Sequence, residues 1–121
     1  KQPTIIAGTR MPEYYFDERC YIAEWWNDPA DADCSIARSV EPGVTTRLHR
    51  LWGVTERYFL LHGSRKVEVG KREAATVVPG SVVVIPDTAQ RITNIGDEDL
   101  VFFAICTPRF HPDIYETIDN A

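Results

Sequence analysis

GVTTRLHRLWGVTERYFLLHG, residues 43–63, decides how this chain reads. Residues 45–51 (TTRLHRL) and 56–62 (ERYFLLH) are rich in β-branched, aromatic and leucine side chains and read as strands. Trp52-Gly53-Val54-Thr55 forms the bend between them, and a bend this short predicts antiparallel pairing of the two strands. Side chains alternate along a strand, so Arg47, His49 and Leu51 share one face, as do Glu56, Tyr58 and Leu60. If those faces coincide, an imidazole and a carboxylate converge above an apolar floor. That is the start of a metal or acid–base site.

Outward from this stretch the strand signals continue. Residues 20–26, 34–40, 65–69, 75–78, 81–85, 90–95 and 100–106 are short, β-prone runs recurring about every ten residues. Turn residues separate them, among them Asp28-Pro29, Pro42-Gly43, Val69-Gly70, Pro79-Gly80 and Pro86-Asp87. This spacing predicts an all-β antiparallel sandwich or barrel, because βαβ units need helical stretches between strands. Only residues 111–119 (HPDIYETID) look helical, with Pro112 in the first turn. We divide the chain into an N-terminal arm with the first strands (1–34), a barrel core (35–107) and a C-terminal segment (108–121). The arm, with its MPEYYF stretch, is expected to pack on the barrel or on a dimer partner.

Composition excludes several classes. A chain of 121 residues, 44% hydrophobic and 26% charged, is one globular domain with a sizeable core. A net charge of −5 without a basic cluster argues against nucleic acid. The longest apolar runs, residues 82–85 and 101–106, fall far short of the ~18 residues a membrane helix needs. Cys20, Cys34 and Cys106 lack CxxC spacing and are expected to be reduced, mostly buried thiols in a cytoplasmic protein. The chain begins at Lys1 rather than methionine, as a trimmed product would.

The glycine, proline and histidine spacing resembles the cupin family of small jelly-roll barrels. The first cupin motif is Gly, five residues, His-x-His, three or four residues, Glu, six residues, Gly. Gly43, His49, Glu56 and Gly63 meet every spacing, and Leu51 stands where the second histidine belongs. In the second motif Gly80, Pro86 and Asn94 fit, while Thr88 replaces a glycine and the stretch is one residue short. The third histidine position then falls on Gln90 or Arg91. We take Gln90, which shares a face with Ile92 and Asn94. The resemblance covers residues 35–107 and implies a cupin-type jelly-roll (double-stranded β-helix) barrel with a short C-terminal helical segment.

Family members with the full motif hold a divalent metal. Here the resemblance implies a set of His49, Glu56 and Gln90 for Mn, Fe, Ni or Zn, with oxygen donors favouring the harder ions. Dioxygenase, decarboxylase or isomerase-type chemistry on a small oxygen-bearing substrate would follow. Two alternatives stand beside it: a metal-free binding or sensing barrel, favoured by Leu51, and a metal-free acid–base isomerase or lyase using His49 and Glu56. Tyr58 is a candidate to polarise a substrate oxygen and Arg47 to clamp a carboxylate; with Leu51 and Gln90 they make up the expected pocket, closed by Phe103 or Ala104. His62 is expected at a strand terminus facing the turn, and His111 at the surface start of the C-terminal segment. Of Trp25 and Trp26, one is expected in the core and the other exposed, a reason to expect a homodimer.

Overall fold

The computed structural model describes residues 2–7, 12–16, 20–43, 48–93 and 98–118. Eleven strands form among them: β1 (Tyr14–Phe16), β2 (Cys20–Trp26), β3 (Ser35–Glu41), β4 (His49–Leu51), β5 (Thr55–His62), β6 (Arg65–Val69), β7 (Ala75–Val77), β8 (Val82–Ile85), β9 (Ala89–Thr93), β10 (Leu100–Thr107) and β11 (Tyr115–Thr117). They make two antiparallel sheets, ordered β1-β2-β3-β10-β5-β8 and β11-β4-β9-β6-β7. Successive strands repeatedly change sheet, as the jelly-roll expectation requires.

One expectation fails in an informative way. β4 and β5 do not pair: β4 lies between β9 and β11, and β5 between β10 and β8. Trp52 and Gly53 turn the chain from one sheet to the other, with Gly53 at φ +72°. Tertiary pairing overrides the local hairpin signal, because each strand finds a longer-range partner that buries its inner face. β4 pairs with β9 through His49 and Gln90, and with β11 through Leu51 and Tyr115.

Alternation places one face of each strand inside. Glu56, Tyr58 and Leu60 of β5 point inward beside Cys106, Ala104 and Phe102 of β10, their register partners. A large apolar cluster that includes Tyr58, Leu60, Val67, Ile85, Ile92, Leu100 and Phe102 fills one end of the interior. A smaller cluster of Leu51, Val54 and Cys106, packed against Phe110, Ile114 and Tyr115, fills the other. Burial of this kind contributes about 1.5–3 kcal/mol for each large apolar side chain.

At the N-terminal end β1, Tyr14–Phe16, adds to the edge of the larger sheet by pairing with β2. Among the described residues of the C-terminal segment, which was expected to be helical, helical character is confined to one 3₁₀ turn, Pro112–Ile114, after which the backbone becomes β11. The edge of β4 captures this segment: Trp52 N donates to Ile114 O and Ile118 N to Leu48 O. Sheet pairing thereby satisfies groups that a lone nine-residue helix would leave to water. No helix among the described residues is long and apolar enough to cross a membrane.

Neither tryptophan of β2 is a core residue. Trp25 is exposed and packs edge-on against Phe103, their ring centres 4.8 Å apart. Trp26 is half-buried and donates from Nε1 to Asp31 Oδ2 at 2.9 Å. On the same outer face Phe59, Leu61, Val82 and Val84 are exposed.

Candidate functional site

The two faces singled out in the sequence meet across the interior, from opposite sheets. Gln90 of β9 is the connection. Its side-chain nitrogen donates to Glu56 Oε1 at 2.7 Å, and its carbonyl oxygen accepts the Tyr58 hydroxyl. Cys106 Sγ lies 3.9 Å from the other oxygen of Glu56. Glu56, Tyr58, Gln90 and Cys106 are all buried, where polar groups need partners. The choice between Gln90 and Arg91 is settled by alternation: Arg91 points outward, where its Nε donates to Glu68 Oε2 at 2.8 Å.

His49 is also buried, but it stacks on the Tyr115 ring at 5.4 Å and 23°. A cavity of about 60 Å3 has Tyr115 in its lining. Leu51, Glu56, Tyr58, Ala104 and Cys106 line its floor, with Phe102. Tyr14 and Phe16 of β1 and Glu24 of β2 bound it from above, with Phe110 and Tyr115 at the side. His49 and Gln90 are not among its lining residues. Of the expected pocket residues, Leu51 and Tyr58 reach the cavity and Gln90 acts through Tyr58 and Glu56. Arg47 and Asn94 lie outside the described residues. Ala104, not Phe103, faces inward.

Sequence reasoning missed the contributions of β1, Glu24, Phe110 and Tyr115, which come from segments read as an arm, a strand of unassigned face and a helix. The mouth carries its own polar pair. Tyr14 Oη lies 3.5 Å from Glu24 Oε1, and burial with the neighbouring carboxylate pushes the Tyr14 hydroxyl up to about 12. Outside the site, His62 ends β5 and His111 precedes the 3₁₀ turn, both exposed, beside Glu98 and Asp113. The three cysteines are free thiols. A second cavity, about 190 Å3 and lined mainly by valines of β6, β7 and β8, offers only the exposed Arg72 and Glu73 as charged groups.

In this structure the polar groups of the floor bond to one another rather than converge on a common point. An amide binds a cation through its oxygen, but Gln90 turns its NH2 toward Glu56 and its oxygen to Tyr58. Leu51 contributes no donor, and among the described residues no three His, Cys, Asp or Glu side chains gather around a common point.

No family model matches the chain, and no curated protein does either. Solved structures do. An oxalate decarboxylase from Lactobacillus farciminis, in complex with formate, superposes with a TM-score of 0.72 at 24% identity over 89% of this chain. The match spans 33% of that longer protein, so this chain corresponds to about a third of it. A predicted oxalate decarboxylase from Thermotoga maritima gives 0.75 at 18% identity, covering 87% of this chain and 99% of that one. A protein with a double-stranded β-helix domain from Klebsiella pneumoniae gives 0.70 at 12% identity, covering 87% and 89%. The fold is therefore the cupin-type double-stranded β-helix. Identities this low carry the fold and not the chemistry.

Proposed function

We propose that this cupin-type barrel is a metal-free binding module for a small organic molecule, held in the cavity above Glu56 and Tyr58. The observation that carries this reading is the orientation of Gln90. Its amide is engaged at both ends by the two polar groups of the cavity floor, which pre-sets Glu56 as an acceptor and leaves no cage for an ion. Apolar walls from Leu51, Phe102 and Ala104 with a few convergent polar groups are the usual make-up of a small-molecule site.

The metal-dependent reading, with Mn, Fe, Ni or Zn on His49, Glu56 and Gln90, asks that network to be dismantled. The acid–base reading asks His49, which does not line the cavity, to reach a ligand there. Both are weaker on this geometry. The decarboxylase relatives are themselves no guide to the ligand, because two carboxylates and no described cation face the cavity.

A panel of neutral, cationic and anionic fragments, screened by ligand-observed NMR in the presence of EDTA, tests the proposal. We expect binders whose signals are lost in Ala104→Trp protein, where the cavity is filled. Absence of any binder, or binding only when a divalent metal is supplied, overturns it.

A further inference from the structure

The outward face of the six-stranded sheet is apolar where an antiparallel sheet facing water carries polar side chains. We infer that a second copy of this chain covers it, the two sheets packing back to back in a twofold-symmetric dimer. This surface lies on the opposite side of the sheet from the cavity, and the inference is independent of any ligand there.

Strand register fixes which side chains share that face. One row across the strands is Tyr15, Tyr21, Val40 and Val101. The next is Ala23, Arg38, Phe103, Phe59 and Val82. A third is Ile36, Ile105, Arg57 and Val84. Trp25 stands where the β2 register shifts between Glu24 and Trp26, and its ring lies edge-on against Phe103 at 4.8 Å. The inner side of these strands already holds the core, so alternation should make this side polar. Instead Arg38 and Arg57 are the charged positions of the three rows. Exposure is large: Tyr15 is 59% exposed, Val82 60% and Val84 56%, with Tyr21, Trp25 and Phe59 at 41–42%.

Area, charge and shape each select a second copy as the cover. At those exposures the face leaves roughly 600 Å2 of apolar surface open, the upper end of what a soluble monomer carries. With the half-buried Val101, Phe103 and Ile105 between them, it approaches the roughly 800 Å2 that one partner gives to a stable interface. The two cations are engaged within their own chain. Arg38 pairs with Glu13 Oε2 at 3.4 Å, and Arg57 reaches out of its row to donate to Thr107 Oγ1 at 2.7 Å, at the end of β10. An acidic partner would find Arg38 already neutralised, and an anionic lipid surface would repel a chain of net charge −5. Shape completes the case. Sheets of like twist stack face to face with their strands about 30° apart, and a copy of this sheet has the same twist. A twofold axis sets each apolar row against its equivalent, which is the self-complementarity such an interface requires.

Sedimentation velocity of the full chain over a concentration series measures the self-association. We expect a dimer with a dissociation constant of about 1 μM or tighter, the weak end for interfaces of this area. It should persist at high salt, because its contacts are apolar. Val82→Lys and Phe59→Lys, at exposed positions of the middle row, should each weaken it at least about tenfold, since a symmetric interface meets the added charge twice. Ile118→Lys, at an exposed apolar residue just past β11 of the other sheet, should leave it unchanged. Unfolding temperatures of the variants confirm that they fold, and Val82, the more exposed of the two positions, keeps the test decisive if Phe59→Lys does not. A parent chain that stays monomeric at the top of the series overturns the inference; if that monomer floats with phosphatidylcholine vesicles, the face belongs to a lipid surface instead. A dimer that high salt dissolves, that Val82→Lys leaves intact, or that Ile118→Lys alone breaks overturns it as well.

Discussion

Gln90 Nε2 donates to Glu56 Oε1 at 2.7 Å, and that bond spans the barrel from the five-stranded sheet to the six-stranded one. Because the same amide accepts the Tyr58 hydroxyl, one side chain ties together both polar groups of the cavity floor. Replacing it with an apolar side chain removes two bonds at buried positions. Gln90→Leu should therefore lower unfolding stability by about 2–4 kcal/mol, whereas Tyr58→Phe, which loses one bond, should cost about 1 kcal/mol. Urea unfolding measures both. A Gln90→Leu cost no larger than that of Tyr58→Phe would mean the bond to Glu56 contributes nothing.

The bend between β4 and β5 is held from outside by Asp87. Its carboxylate accepts from Arg50 Nε at 2.6 Å and from Gly53 N at 2.9 Å, and these bonds lower its pKa below the usual 3.8. A depressed carboxylate pKa contributes stability above 3.8 that is lost as pH falls through the folded-state value. Thermal unfolding of Asp87→Asn should start lower at neutral pH and show a shallower acid decline than the parent. Identical acid profiles would remove Asp87 as the clamp.

Tyr14 acts on the alkaline side. Its hydroxyl, raised from 10.0 to about 12 by burial and by Glu24, keeps its proton in the folded chain after the unfolded chain has lost it. Its contribution is complete below pH 10.0 and declines as pH rises toward about 12. The difference between parent and Tyr14→Phe unfolding temperatures should shrink or reverse over that window. A constant difference would show that the hydroxyl is not so perturbed.

Two glycines of the decisive stretch should respond differently to alanine. Gly63 has φ +85°, and a Cβ there would lie 2.5 Å from Asp99 O and 3.1 Å from Leu100 Cα, both backbone atoms. Gly53 has φ +72° and open space around it. Gly53→Ala should cost about 1 kcal/mol, the strain of a left-handed residue alone. Gly63→Ala should cost clearly more, because the β10 backbone has to move. Equal costs in denaturant titrations would contradict the packing described at Gly63.

Most strands were legible because each carries a β-prone run bounded by glycine or proline. β2 and β6 fall where the sequence places them, and β5 and β10 differ by one residue at an end. The buried faces of His49, Glu56 and Gln90 were legible from alternation together with the motif spacing. What could not be read was partnership. The bend after Leu51 looks like a hairpin to local rules, yet the partners of β4 lie some forty and sixty residues away. The same blindness hid Tyr115, whose segment has helical pattern until a free strand edge claims it. It also hid the direction of the Gln90 amide, which depends on two groups from another sheet. That direction is what separates a metal cage from a hydrogen-bonded floor.

Calorimetric titration of chelator-stripped protein with Mn2+ and Zn2+ tests this separation most directly. Leu51→His combined with Gln90→His, which restores imidazoles at both altered motif positions, serves as the positive comparison. We expect a flat trace and an unchanged unfolding temperature for the parent chain, with saturable heat only in the doubly substituted protein. Saturable binding of one ion per parent chain, abolished by Glu56→Gln, would contradict the metal-free floor.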